Sequence, residues 1–305
     1  MILTKSDTKQ INLDIEITGK INSECLDELL IIVPTNRKAR SLTKEIISAS
    51  KLKSTGKINV DTLTTFSENI LKNLKNFIPL SEAVSTVLIN RTARDLKSKL
   101  KYFRLYHDDI PHGTLERIKN LISELKREGV DSERLLNDLE DLSVSDRNKA
   151  EDLSLIYSEF VKKCRDFNAL EVGDIYKEVI ELNENDFEKS FNHYYNKVNF
   201  VVVNGFDEFT NPEVELINKI SETVKNLFIN FDYYSGNDSI FSHLDDSFNK
   251  ILKRGFKQIE DLSEKDESKF ITTTKRKLFN NQEEILISDY QNEITKIKAK
   301  NKLKE

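Results

Sequence analysis

The sequence predicts an α/β protein: a parallel-sheet domain built from both ends of the chain, with a large all-helical insertion between them. Three observations lead there. Short apolar runs bounded by breakers lie near both ends, at Leu29–Val33, Val198–Val203 and Leu227–Phe231. Runs of that length suit strands buried on both faces. The first two lead into residues that start helices, and residues 80–191 carry helical apolar spacing with no strand signal.

Leu29-Leu30-Ile31-Ile32-Val33 is stopped by Pro34, and Thr35 is placed to cap a helix from about Asn36 to Ser48. Ile58 to Leu63 alternates as a strand does. Thr65-Phe66-Ser67-Glu68 then has capping-box spacing ahead of Ile70, Leu71 and Leu74. In the middle, Ala83, Val84, Val87 and Leu88 recur at helical spacing. So do Leu115, Ile118, Ile122 and Leu125, which end at Gly129, and Leu153, Ile156, Tyr157, Phe160, Val161 and Cys164. The Val198–Val203 strand breaks at Asn204-Gly205. Thr210-Asn211-Pro212-Glu213 then opens a helix at a point where proline's missing N–H costs nothing. Glu260 to Ser268 reads as a charged loop. Neither end alone supplies enough strands for a sheet, so the domains expected are 1–79 with 192–305, and 80–191.

Composition narrows the function classes. With 8 Gly and 4 Pro in 305 residues, long helices are favoured over a turn-rich β sandwich. No apolar run of membrane-spanning length occurs, and the N-terminus lacks a signal peptide's apolar stretch. The 2 cysteines, Cys25 and Cys164, form no CxxC, so neither zinc nor a disulfide framework is expected. A cytoplasmic location fits. The net charge of −5 does not advertise nucleic-acid binding. Yet from Arg37 to Lys57 the basic residues Arg37, Lys38, Arg40, Lys44, Lys51, Lys53 and Lys57 face a single acid, Glu45.

Strand-to-helix turns of a parallel sheet put helix N-termini at its carboxyl edge, where amides and the helix dipole favour phosphate. Thr35, Asn36, Arg37 and Lys38 occupy the first such turn and Thr64 and Thr65 the second. Caps without a ligand explain the threonines equally well. Phe66, Phe206 and Phe209 are candidates for stacking a base, with core packing as the alternative.

Catalytic chemistry is not encoded in any recognisable form. An ATPase on this sheet needs a GxxxxGK[ST] loop, which is absent, and a strand-ending Asp for Mg²⁺, where Asn204 stands. A restriction-type nuclease needs an (Asp/Glu)-x-Lys on a strand. Glu124-Leu125-Lys126 lies in a helical pattern, and Glu267-Ser268-Lys269 in the charged loop. His107 and His112, with Asp108 and Asp109 between them, match no metal motif. No catalytic residue, metal site or cofactor is therefore expected.

Taken together the segments resemble a known family. Leu29 to Arg40 looks like the second conserved block of superfamily 1 helicase-like proteins, and Thr62-Leu63-Thr64-Thr65-Phe66-Ser67 like the Thr-Phe block after it. Gly205-Phe206-Asp207-Glu208-Phe209-Thr210-Asn211-Pro212-Glu213 is similar to the degenerate Walker B region of the B subunit of AddAB-type helicase–nucleases. Gly113 to Arg117, Glu124 to Val130 and Lys149 to Leu153 resemble that family's inserted domain. The resemblance spans most of residues 25–260. It implies a P-loop-NTPase-like, superfamily 1 helicase-like fold and a helicase-like half that guides a DNA strand. It also implies a C-terminal PD-(D/E)XK nuclease after that half. Single-stranded or end DNA and a helicase subunit are the implied partners. Nothing of the nuclease half is present, so the expected function is a non-catalytic DNA-strand-guiding module of a double-strand-break repair helicase–nuclease, in the form of a fragment. The alternatives are a nucleotide- or phosphate-binding α/β enzyme and a structural, partner-docking subunit.

Overall fold

The structure, a computed structural model, describes residues 1–50, 57–106, 110–137, 143–234, 236–263, 273–274 and 278. They fall into two compact units. The first takes the chain up to Leu63, from Tyr195 to Phe209, and from Ile217 onward; the second takes Thr64–Tyr194 and Thr210–Leu216.

The opening stretch gives β1 (Ile2–Thr4), β2 (Gln10–Ile11), α1 (Leu13–Asn22), β3 (Leu29–Ile32), α2 (Asn36–Ala49), β4 (Asn59–Asp61) and α3 (Leu63–Lys72). The middle gives β5 (Ile78–Pro79), α4 (Glu82–Asp95), α5 (His112–Arg127), α6 (Arg134–Asn137), α7 (Val144–Asp166), β6 (Ala169–Leu170), α8 (Val172–Glu181) and α9 (Glu184–Tyr194). The closing stretch gives β7 (Phe200–Asn204), α10 (Asn211–Thr223), β8 (Asn226–Asn230), α11 (Asp238–Phe241), α12 (Asp245–Lys253) and β9 (Lys257–Asp261).

In the first unit the strands form one sheet of order β2-β9-β1-β8-β7-β3-β4. Its centre is parallel: Leu30 pairs with Asn59 and Val201, and Val201 with Leu227. The parallel core is buried on both faces, which is why its strands are continuously apolar. On one face Leu29, Ile31, Val33, Phe200, Val202 and Phe228 cluster with Ala39 and Ile46 of α2. On the other, Leu30, Ile32, Val201 and Val203 are fully buried.

The sheet is not wholly parallel. β1 runs antiparallel to both β8 and β9. Ile2-Leu3 is too short a run to show a period, and its strand is fixed by neighbours more than 200 residues away. β9 (Lys257–Asp261) likewise ends on Glu260 and Asp261, the first two residues of the expected charged loop.

Among its described residues the second unit is helical apart from one short parallel pair, β5 with β6, so the block expected to be all-helical contains a strand. Ile89, Ile118, Ile122, Ile156 and Phe160 form its core. Helix α5 ends as its sequence requires. Gly129 sits at φ 71°, and the Val130 amide returns to Leu125 O at 2.8 Å. In α4 the buried face is Ser85, Ile89, Thr92 and Ala93, whereas Val84 and Val87 are exposed, so the apolar stripe misidentifies the inward side.

Candidate nucleic-acid interface

In the sheet of the first unit β3 is followed along the chain by α2 and then by β4 on one side, and β7 by α10 and then by β8 on the other. The strand order therefore reverses between β3 and β7. Open α/β sheets bind ligands at the carboxyl edge of such a switch point.

One wall is the turn from β3 into α2. The Val33 amide donates to Asp61 O at 2.9 Å, which keeps the chain extended to its last apolar residue. Pro34 has no N–H to continue the ladder. Thr35, at φ −138° and ψ 149°, then caps α2: its Oγ accepts from the Lys38 amide at 3.2 Å, and its carbonyl accepts from Ala39 at 3.0 Å. The amides of Asn36 and Arg37 belong to the first turn, which has no intrahelical acceptor to offer them. Thr35, Asn36, Arg37 and Lys38 are all exposed. The first turn carries no acid, and Arg37 and Lys38 put positive charge at the positive end of the helix dipole. That arrangement costs the helix a few tenths of a kcal/mol up to about 1 kcal/mol, which a bound anion reverses.

The other wall is the end of β7. Asn204 Oδ1 accepts from Asn230 Nδ2 at 3.1 Å, tying the ends of β7 and β8 together with neutral groups. Gly205 follows at φ 79°, a conformation that side chains resist. A Cβ there would lie 3.9 Å from Lys38 Cε and 4.0 Å from Pro34 Cδ, so the two turns face each other at van der Waals distance. The switch point thus presents two amides, Arg37, the Lys38 stem and a glycine. It can hold an anionic oxygen, with Arg37 suited to grip two at once.

The aromatic candidates are core residues. Phe206 and Phe209 are 6 % and 3 % exposed and stack on each other at 4.8 Å. Phe66 is fully buried in the second unit against Phe187 and Phe191. Their burial leaves no face of these rings open to a base. Thr65 is not a cap either. Helix α3 begins at Leu63, where the buried stripe Leu63, Phe66, Ile70 begins. Glu68 pairs with Lys72 at 2.8 Å. Thr65 and Phe66 are assigned to the second unit and the switch-point residues to the first.

Lys51 and Lys53, His107 with Asp108 and Asp109, and Glu267 with Lys269 lie outside the described residues. His112 is exposed at the start of α5. Among the described residues no group of three or more His, Cys, Asp or Glu is placed to hold a metal ion.

Two polar clusters escaped the sequence reading. Asp61, at the carboxyl end of β4, accepts from the Tyr195 hydroxyl at 2.9 Å. Burial pushes its carboxyl above the ordinary value, against the pull of that bond and of Lys57. In the second unit, Lys126 of the helical Glu-x-Lys triplet is 5 % exposed. Its ammonium lies 2.7 Å from Asp174, 3.0 Å from Glu171 and 4.9 Å from the centre of the Phe160 ring. Burial alone would lower its pKa; the two carboxylates outweigh it and hold the ammonium above its ordinary range. The triplet is thus a packing element of α5. Beside it opens a cleft of about 550 Å³, walled by Gly129, Tyr157, Arg165 and Lys177. Cys164, in the adjoining core, has its thiol pushed up to about 12 by burial and is inert.

A family model described as "ADDB, N-terminal" matches residues 6–287. The chain is also similar to the B subunit of the ATP-dependent helicase/deoxyribonuclease of Listeria monocytogenes serotype 4a (strain HCC23), with 30 % identity over 142 residues. That match takes in 46 % of this chain and 11 % of the relative's length.

Proposed function

This chain belongs to the AddB N-terminal family, and from that premise we propose that it guides a DNA strand, without cutting it or hydrolysing ATP, as part of a double-strand-break repair helicase–nuclease. On this reading the first unit is a superfamily 1 helicase-like domain, the second is its helical insertion, and a helicase subunit is the partner. The observation that carries the proposal is the switch point itself. An exposed helix N-terminus with Arg37 and Lys38 in its first turn and no acid faces a glycine turn, and that is a seat for a phosphate.

The non-catalytic half of the proposal rests on the sequence around that seat. The chain has no GxxxxGK[ST] loop, and Asn204, where a carboxylate would hold Mg²⁺, is bonded to Asn230. A nucleotide phosphate fits the same seat chemically, so one experiment tests both readings. The purified chain is given single-stranded DNA and ATP with Mg²⁺. Binding of the oligonucleotide without turnover is expected. DNA-stimulated hydrolysis above roughly 0.1 s⁻¹, or cleavage of linear DNA with Mg²⁺ or Mn²⁺, contradicts the proposal.

A further inference from the structure

With Phe66, Phe206 and Phe209 in the core, the carboxyl edge needs another surface if it is to hold bases as well as phosphates. The same unit contains one. An aromatic ladder starts beside the glycine turn and runs outward past the end of β8. Phe206 stacks on Phe209, Phe209 lies 5.8 Å from Phe231, and Phe231 lies 6.0 Å from Tyr233 at 18°. Tyr233 stacks on Phe248 at 4.5 Å and meets Phe241 edge-on at 6.3 Å. Phe241 in turn meets Tyr234 edge-on at 6.5 Å.

The ladder changes character along its length. Phe206, Phe209 and Phe231 are buried, Tyr233, Phe241 and Phe248 are half-buried, and Tyr234 is exposed at 36 %. Its outer half is held in place. The Tyr233 hydroxyl bonds Asp245 at 2.6 Å, and a Cβ at Gly236 would come 2.5 to 2.7 Å from Tyr234 Cε1, Cζ and the hydroxyl oxygen. A side chain at position 236 would therefore push the Tyr234 ring aside. An exposed ring backed by a second ring and seated on a glycine is positioned before any ligand arrives, which keeps the ordering cost of stacking small.

We propose that Tyr234, backed by Phe241 and seated on Gly236, is the base-stacking face of this edge, and that it takes one base of the strand whose phosphate the α2 N-terminus holds. The inference rests on the strand-guiding reading and adds the residue that contacts a base. A π-face accepts any base, so this contact carries affinity without sequence preference.

The chain has no Trp, so Tyr234→Trp installs a single indole as a reporter. Titration of this variant of the 305-residue chain with single-stranded dT oligomer is expected to quench its fluorescence, and an abasic oligomer of equal charge to leave it unchanged. In parallel, Tyr234→Ala and Gly236→Ala are expected to weaken dT-oligomer binding about 10-fold without altering its salt dependence, while Tyr234→Phe binds as wild type does. Should Arg37→Ala weaken binding while Tyr234→Ala does not, or should the abasic oligomer quench equally, the stacking face is overturned and the strand-guiding reading stands. Should the wild-type chain bind neither oligomer, the reading fails and the stacking face falls with it.

Discussion

Replacing Lys126 with Met removes one ammonium group and keeps the length of the side chain, so it tests the charge at the heart of the second unit without opening a cavity. The ammonium is hydrogen-bonded to Asp174 at 2.7 Å and ion-paired with Glu171 at 3.0 Å, with its side chain 3 % exposed. Removing one partner of a buried ion pair costs about 3–5 kcal/mol. Two features put the expected loss at the lower end. Glu171 keeps bonds to its Oε1 from Ser85 at 2.9 Å and Ser123 at 3.3 Å, so only its Oε2 loses its neighbour. The Asp174 side chain is 21 % exposed and keeps the Glu171 amide at 3.1 Å, so water relieves part of its charge. A loss of about 3 kcal/mol corresponds to a roughly 100-fold rise in the open population. Hydrogen exchange read on peptides from α5 and α8 resolves this unit from the other, which a single melting curve of a two-unit chain does not. Lys126→Met with Glu171→Gln and Asp174→Asn should recover most of the loss. Because the folded pKa of Lys126 lies above its ordinary 10.5, this contribution is intact below 10.5 for as long as Glu171 and Asp174 are ionised, and is lost as pH rises from 10.5 through the folded value. Unchanged exchange in Lys126→Met would refute the reasoning, as would a triple variant no better than the single.

Three further outcomes follow from other sites. Gly173→Ala places a Cβ 2.6 Å from the Lys126 backbone carbon and oxygen; neither is free to swing away, so urea unfolding should show a loss of about 1–3 kcal/mol. Asp152 is 2 % exposed and accepts the amides of Lys101, Tyr102 and Phe103 at 2.8–3.1 Å. Asp152→Ala should cost about 3 kcal/mol, with protease cutting newly directed to that turn. Asp61 binds its proton more tightly in the folded chain than in the unfolded one, where the ordinary value is 3.8. Its effect on stability therefore worsens as pH rises from 3.8 through the folded value. Asp61→Asn should flatten the stability profile over that window and leave the chain no less stable at pH 7; an unchanged slope would show that Asp61 is not the group responsible.

The central strands were legible because burial on both faces leaves nothing polar in them: Leu29–Ile32, Phe200–Val203 and Leu227–Ile229 needed no partner information. The Thr35 cap was legible because a cap is a local bond between residues three apart. The rest depended on tertiary neighbours. β1 is three residues long and exists only because β8 and β9 flank it. Thr65 and Glu68 have capping-box spacing, but the buried stripe starts two residues earlier, and burial of Leu63 outweighs a cap. The Phe residues at strand ends cannot be sorted into stacking faces and core from sequence, since both roles ask for the same side chain. Lys126 sits on an amphipathic helix one residue after Leu125, and only Glu171 and Asp174, 45 and more residues later, explain its burial.

The measurement that bears most directly on the strand-guiding proposal is the affinity of the full chain for single-stranded DNA across a series of salt concentrations, wild type against Arg37→Ala. Wild type should bind more weakly as salt rises. Arg37→Ala should bind more weakly still, with the slope of log affinity against log salt reduced by about 0.7, one phosphate's worth on a single strand. An Arg37→Ala chain that remains folded and keeps both the affinity and the slope of wild type would contradict the assignment of the phosphate seat to the switch point of this sheet.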